Sequence, residues 1–547
     1  ALSAATSGNY NTGVGLGAGL ALVSGAQNTL VGYKALGGAD AGESGNVMVG
    51  TFAGRHIDAS AGTGAGSNNI GIGYGALSGV NWSYSDGDTS QATKPSADFN
   101  IGIGSYALDA TTSGNNNVAI GYNAGTAIQT GSSNVAVGYQ AGSGFINANH
   151  NVAIGQQALQ TEDVSAGNVA IGYQALKVQN TDNSNNVAIG YQAGVALNGG
   201  TNSVYMGYLA AGVGAVTGSN NTVIGKEAAK NATGMNHSVV IGSSANNVGT
   251  NNAADNVIIG HAAGQDVSSA TGNVLIGRDA GLEITNNVDN IVIGKNALNA
   301  AAASENYHIA IGSDALGTEN SDASGCVAIG YQALMDQNRA DSKNTAVGYN
   351  ALTNLGSGVT YGGVRNTAFG FNAGGSGVVG GAANGNGDDN VLIGHQAGYG
   401  LDAGTDNVIV GSYAGKALDT GTGNVFMGRG AGNTATNATN NVVIGNYAAD
   451  HTGATSYSQN VIIGNDACGG GALANATATQ GMNNVVLGNA AGYNMSVGEK
   501  NILIGTDAGT ALTEGGSNIA IGKGALDAAN GTGSGAESYN VAIGEDA

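Results

Sequence analysis

The sequence predicts an all-β fold, a parallel β-solenoid of about 29 coils, and three observations predict it. First, a nine-residue pattern typified by Asn168 to Leu176, NVAIGYQAL, returns 29 times in 547 residues. Marked by its glycine, the series runs from Gly15, Gly32 and Gly50 through Gly172 and Gly190 to Gly522 and Gly544. Of the 28 intervals, 14 are 17 residues, seven are 18, one is 19, and the other six run from 22 to 31. Second, the position three before the glycine is Val, Ile or Thr in every copy, and the position one before it is Val, Ile, Leu, Met or Phe. That is the pattern of a strand with one buried face. Third, the residue three after the glycine is always alanine. A fixed period of this size means stacked units, each too small to bury its own apolar face. The chain therefore reads as one elongated domain, 1–547, spanning on the order of 140 Å at a strand spacing of ~4.8 Å.

Each element of the repeat has a physical reading. The glycine supplies a positive-φ or close-approach backbone position that ends the strand. The alanine marks a tight corner with room for a methyl group. Asparagine stands four before the glycine in 25 copies, the exceptions being Ser203, Ser238, His308 and Cys326. It tolerates the left-handed conformation and bonds its own backbone, so it suits a turn entering the strand. Stacked coil on coil, these side chains are positioned for an amide ladder.

The position two before the glycine points to the other face of the strand. In a lone solenoid the outward face would be polar, yet here this position is apolar or glycine in all 29 copies. A strand apolar on both sides needs cover on both sides. The expectation is that Ala119, Ala136, Ala153, Ala170, Ala188, Tyr205, Ile258, Leu392, Phe426 and Leu503 pack one chain on another, most simply around a threefold axis, a second layer from the same chain being the alternative. The position also changes size in blocks: small from Gly71 to Ala188, large from Tyr205 to Val292, Ala from Ala310 to Ala368, large from Leu392 to Leu503. Where it is small, the residue after the glycine is often aromatic, as in Tyr122, Tyr139, Tyr173, Tyr191, Tyr331, Tyr349 and Phe371. This reads as volume compensation, a ring filling the space a small residue leaves. Sugar stacking is the alternative use for these rings.

Composition narrows the function classes. The 99 glycines and 9% charged residues suit a linker, but periodic β-branched residues are what linkers lack. A net charge of −21 without a basic stripe argues against nucleic-acid binding and for a soluble extracellular surface. No apolar run approaches the ~20 residues of a membrane-spanning helix, so no membrane insertion is expected. ALSAATSGNY at the start lacks signal-peptide character. Cys326 and Cys468 fall seven coils apart, ~34 Å in a straight stack, too far for a disulfide.

Along the chain, enlarged connections interrupt the regular coils near 77–99, 352–366, 374–390, 469–484 and 526–540, and read as surface loops. The first contains the only tryptophan and the only proline. A loop bulging from a solenoid carries a binding surface without disturbing the stack, which makes Trp82, Tyr84, Asp86 and Asp88 the candidate recognition tip. Neither end carries a cap, so further chain or end-to-end stacking is expected there. No nucleophile elbow, P-loop, Cys/His metal cluster or calcium-roll pattern appears, and no catalytic residue, cofactor or metal site is expected.

At NVAIGYQAG (Asn186 to Gly194) and at Asn344 to Leu352, NTAVGYNAL, the chain resembles the head repeats of YadA-type trimeric autotransporter adhesins and the repeat arrays of phage tail fibres. The resemblance covers nearly the whole chain. It implies a trimeric, left-handed parallel β-roll with an attachment role. The coils are longer than the usual head repeats, and neither a coiled-coil stalk nor a membrane-anchor barrel is present. The reading that results is a non-enzymatic extracellular homotrimeric fibre that presents loops to a surface glycan or receptor. The alternative is a filament or matrix protein polymerising head to tail.

Overall fold

The computed structural model describes all residues except 39–41, 58–65, 80–96, 162–165, 180–183, 215, 249–252, 301–305, 318–323, 337–342, 355–362, 376–386, 451–455, 471–481, 497 and 528–538. The fold is all-β, a parallel β-solenoid built from 29 strands of three residues, with no helix among the described residues. The chain divides into two compact units, Ala1–Ser269 and Ala270–Ala547. The first carries 14 strands, from Thr12–Val14 to Val257–Ile259, and the second 15, from Val274–Ile276 to Val541–Ile543. Within each unit, register sets equal positions of the repeat side by side. Val169, Ala170 and Ile171 pair with Val187, Ala188 and Ile189 in the first unit. In the second, Val391, Leu392 and Ile393 pair with Val408, Ile409 and Val410.

The glycine ends the strand as its reading predicts, for both stated reasons at once. Gly172 has φ 132°, and a Cβ built on it would lie 2.4 Å from the carbonyl oxygen of Gly190 in the next coil. Beyond it the backbone alternates: Gln174 (φ 53°) and Leu176 (φ 46°) are left-handed on either side of Ala175. The alternation sends successive amides to opposite neighbours. The Gln174 N–H donates to the Gln156 carbonyl of the preceding coil at 2.9 Å, and the Leu176 N–H to the Ala193 carbonyl of the following one at 3.0 Å. Left-handed geometry costs a non-glycine residue roughly 1–2 kcal/mol, so these hydrogen bonds must hold it in place.

The asparagine ladder is formed. Asn407 donates from Nδ2 to Asn390 Oδ1 at 2.9 Å and to the Gly421 carbonyl at 2.8 Å. Its own Oδ1 accepts the Asn424 backbone N–H at 3.0 Å and Asn424 Nδ2 at 2.9 Å. Three residues that take the position in other coils keep the acceptor: Ser203 Oγ accepts from Asn221 N–H, Ser238 Oγ from Asn256 N–H, and His308 Nδ1 from Cys326 N–H. The left-handed residue, however, is the one before the asparagine, such as Asn116 (φ 59°) and Asn185 (φ 46°). The ladder residue itself stays in the ordinary region because its side chain is committed to the neighbouring coil.

A second polar ladder, six before the glycine, escaped the sequence reading. Ser44 N–H donates to Ser67 Oγ, Ser67 N–H to Asp98 Oδ1, Asp98 N–H to Asn115 Oδ1, Asn115 N–H to Ser132 Oγ and Ser132 N–H to Asn149 Oδ1, at 2.6 to 3.1 Å. It runs opposite to the first, the earlier coil's amide meeting the later coil's side chain. Its signal was the recurrence of Ser, Asn or Asp at that offset.

The assignment of the two strand faces is reversed from expectation. Ala119, Ala136, Ala153, Ala170, Ala188, Tyr205, Ile258, Leu392, Phe426 and Leu503 are not on an outer packing face; all are at most 1% exposed and form the core of their own coils. A strand of three residues turns one side chain one way and its two neighbours the other. The coil closes on the single central residue, because a 17-residue loop has little interior to fill.

The volume compensation is real, but its partner is different. Large residues two before the glycine mostly occur with glycine or alanine four after it, as Phe426 with Gly432, Leu392 with Gly398, Leu275 with Gly281, Leu503 with Gly509 and Tyr205 with Ala211, although Leu30 goes with Leu36 and Val292 with Leu298. A Cβ on Gly432 would meet Phe426 at 2.8 Å and one on Gly398 would meet Leu392 at 2.8 Å. Small residues occur with a buried leucine there, as Ala153 with Leu159, Ala170 with Leu176 and Ala328 with Leu334. Elsewhere the filler comes three residues later still, Phe145 serving Ala136 and Leu197 serving Ala188, both fully buried. Thus the interior is filled from facing walls whose sizes vary with one another, and some coils bury a large side chain from more than one wall, as Leu30 with Leu36 and Leu392 with Leu401. Cys468 takes this second-wall position beside Ile462, and both it and Cys326 are buried.

Candidate functional site

With the central residue inside, the β-branched residues on either side of it face outward. Val169 and Ile171 in one coil, Val187 and Ile189 in the next, and their equivalents throughout each unit form two rows, apolar except where Thr12, Thr29, Thr222, Thr345 and Thr367 stand in the first. Ile120, Ile154, Ile393 and Met427 remain 38 to 42% exposed, although each is flanked by its counterparts in the coils before and after. The chain bends at the glycine, and a third row follows. In it Tyr122, Tyr139, Tyr191, Tyr208, Tyr331, Tyr349 and Phe371 are exposed, not folded into the coil.

The rings of this third row form ladders. Tyr173 stacks on Tyr191 at 4.9 Å between centroids and Tyr191 on Tyr208 at 5.3 Å. In the second unit Tyr331, Tyr349, Phe371 and His395 stack at 5.0 to 5.2 Å. Where the aromatic residue shifts one place along the chain, as at Phe52 and Tyr106, the contacts become edge-to-face. The rings therefore compensate no core volume. Nor do the rings inside a run, Tyr191, Tyr349 and Phe371, suit a sugar platform, because both of their faces are taken by stacked neighbours.

Most groups with displaced ionisation are displaced mainly by burial, the exception being the exposed Arg365–Asp389 pair, whose hydrogen bond raises the guanidinium and lowers the carboxyl. Burial pushes the Asp109 carboxyl up to about 6, against the pull of a hydrogen bond donated by the Thr126 hydroxyl of the next coil. Burial likewise lifts the Tyr205 phenol to about 12, with Ser203 and Asn221 acting in the opposite sense, and the Cys468 thiol to about 12. The Tyr457 phenol is raised by burial and then by Cys468 and Asp450. Each of these buried groups is enclosed by its own stack. Among the described residues no three His, Cys, Asp or Glu side chains gather closely enough to hold a metal ion, and no helix is long and apolar enough to cross a membrane.

The sequence-derived recognition tip, Trp82, Tyr84, Asp86 and Asp88, lies outside the described residues, as do most of the enlarged connections. The ten residues assigned to chain–chain packing are core, and the outward rows were read as the buried face. The signal that separates them was available: only the central position varies from glycine to tyrosine, and only a core whose opposite wall varies in step accommodates such a range. No known protein family and no curated protein sequence matches the chain.

Proposed function

We propose that the chain is a non-enzymatic, extracellular attachment fibre in which three copies pack their outward Val/Ile rows against one another. The observation that carries this reading is the apolar face repeated in register along each unit. Exposed apolar surface of this extent marks an interaction site, and covering what remains open of each side chain stabilises by roughly 1 kcal/mol. A second copy is the fitting occupant, because only another solenoid presents ridges and grooves at the same strand spacing. The bend at the glycine divides the face into two facets, so one copy touches two others and the ring closes without an open edge. The binding partner in this reading is a surface glycan or receptor met by the enlarged loops, and the Trp82 loop is the tip.

Light scattering of the purified chain is expected to give three chains per particle. Ile120→Asp, Ile154→Asp and Ile171→Asp together place carboxylates on the outward face and are expected to lower the mass to one chain with the β spectrum retained. Ala170→Asp, by contrast, buries a charge inside the coil and is expected to unfold the local stack, as judged by circular dichroism and proteolysis. A wild-type chain that is monomeric at micromolar concentration overturns the assembly. Attachment is tested separately: Trp82→Ala with Tyr84→Ala is expected to abolish binding on a glycan panel while leaving the particle mass unchanged, and undiminished binding rejects that tip.

A further inference from the structure

We propose that the outward tyrosine ladders are sites of intrachain dityrosine cross-linking, which would staple successive coils without cysteine. Four tyrosine pairs stack nearly parallel: Tyr122–Tyr139 at 5.6 Å and 10° between planes, Tyr173–Tyr191 at 4.9 Å and 16°, Tyr191–Tyr208 at 5.3 Å and 16°, and Tyr331–Tyr349 at 5.0 Å and 19°. In-register strands hold each pair side by side, so the ortho carbons of the two phenols approach with only a swing of the side chains. The half-exposed rings are free to make that swing and open to a small diffusible oxidant.

The chemistry is a two-electron oxidation. Each phenol gives one electron and one proton to become a phenoxyl radical, the two radicals join through their ortho carbons, and each displaced ortho hydrogen moves to its own oxygen to restore the phenol. A one-electron oxidant, either a haem peroxidase with hydrogen peroxide or a photo-oxidised metal complex with persulfate, takes the two electrons, and water takes the two protons. The rest of the structure limits where this happens. Tyr349 is followed by Phe371 and then His395, which end the run of coupling partners. Tyr10, Tyr307 and Tyr539 are more exposed than any ladder tyrosine yet have no aromatic neighbour among the described residues, so exposure and adjacency separate cleanly.

The test is brief photo-oxidation of the native chain with a ruthenium tris-bipyridyl complex and persulfate, followed by dityrosine fluorescence, a denaturing gel and peptide mass spectrometry. The proposal expects a fluorescent band at single-chain mass and peptides joined at the four stacked pairs, each lighter by two hydrogens. Tyr191→Phe, which keeps the ring and removes two of the four pairs, is expected to lower the yield about twofold, and Tyr349→Phe to remove only the link to Tyr331. Because the links join coils of one chain, they are expected also in the monomeric Ile120→Asp, Ile154→Asp, Ile171→Asp variant, where no second copy covers the rings, so this test and that of the assembly fail separately. The proposal is overturned by no dityrosine, by equal yield in denaturant, by links that form only between chains, or by links concentrated on Tyr10, Tyr307 and Tyr539.

Discussion

Gly172→Ala is expected to destabilise the first unit by several kcal/mol and to open the coils on either side of the substitution. Two costs combine. At φ 132° the backbone sits where a side chain is strained by roughly 1–3 kcal/mol. The added Cβ also meets the Gly190 carbonyl oxygen at 2.4 Å and its carbon at 2.7 Å. The carbonyl cannot retreat easily, since the Gly190 N–H is bonded to the Ile171 carbonyl at 2.8 Å in the same ladder. Relief therefore means separating two coils and breaking strand hydrogen bonds, and in a solenoid that loss falls on the nearest-neighbour coupling that holds the stack. Gly325→Ala is the control: it too has positive φ, 75°, but its Cβ meets nothing within 4 Å, so it reports strain without collision. Hydrogen exchange is expected to show amides near Val169 and Val187 exchanging much faster in the first variant and only slightly faster in the second. Equal protection in both would mean that the glycine row is tolerated by choice of conformation, not required by close approach.

The repeat made the strand order, the parallel register and the glycine row legible, because all three follow from identical short units stacked at one spacing. The asparagine ladder was legible for the same reason. What misled was polarity. Hydropathy distinguishes inside from outside only when one face is polar, and here Val169, Ala170 and Ile171 are apolar in both directions. The β-branched pair looked like the core because branching favours strands, yet that preference serves the pleated surface equally well on an outward row. The aromatic correlation misled for a related reason. Coils with alanine at the centre carry both an outward tyrosine and an inward leucine, as at Ala170, Tyr173 and Leu176, so two correlates competed and only coordinates show that Leu176 is the buried one. The ladder six before the glycine is hard to read from sequence because Ser, Asn, Asp and Thr alternate there and residues such as Ala26, Ala166, Val288 and Met482 interrupt them.

Asn407→Ala is expected to cost about 3–5 kcal/mol, because it strips hydrogen-bond partners from both neighbouring coils in a fully buried row. The Asn424 backbone N–H and Nδ2 lose their acceptor, while Asn390 Oδ1 and the Gly421 carbonyl lose a donor. Asn407→Ser is expected to cost less, since Ser203 and Ser238 show that a hydroxyl at this position still accepts the next coil's N–H. Asn407→Asp separates the two halves of the role. A carboxylate keeps the acceptor but offers no proton to Asn390 Oδ1 or the Gly421 carbonyl, and it buries a charge, so its folded pKa must lie above the unfolded value near 3.9. With the folded pKa raised, the ionisation penalty is absent below the unfolded value, grows as pH rises through the interval between the two, and is complete above the folded pKa. The aspartate variant should therefore melt closer to wild type at pH 4 than at pH 7, whereas the alanine variant should show the same deficit at both. Thermal melts at the two pH values check this. A pH-independent aspartate variant would mean that the amide's donors contribute little and that the ladder works through its acceptors alone.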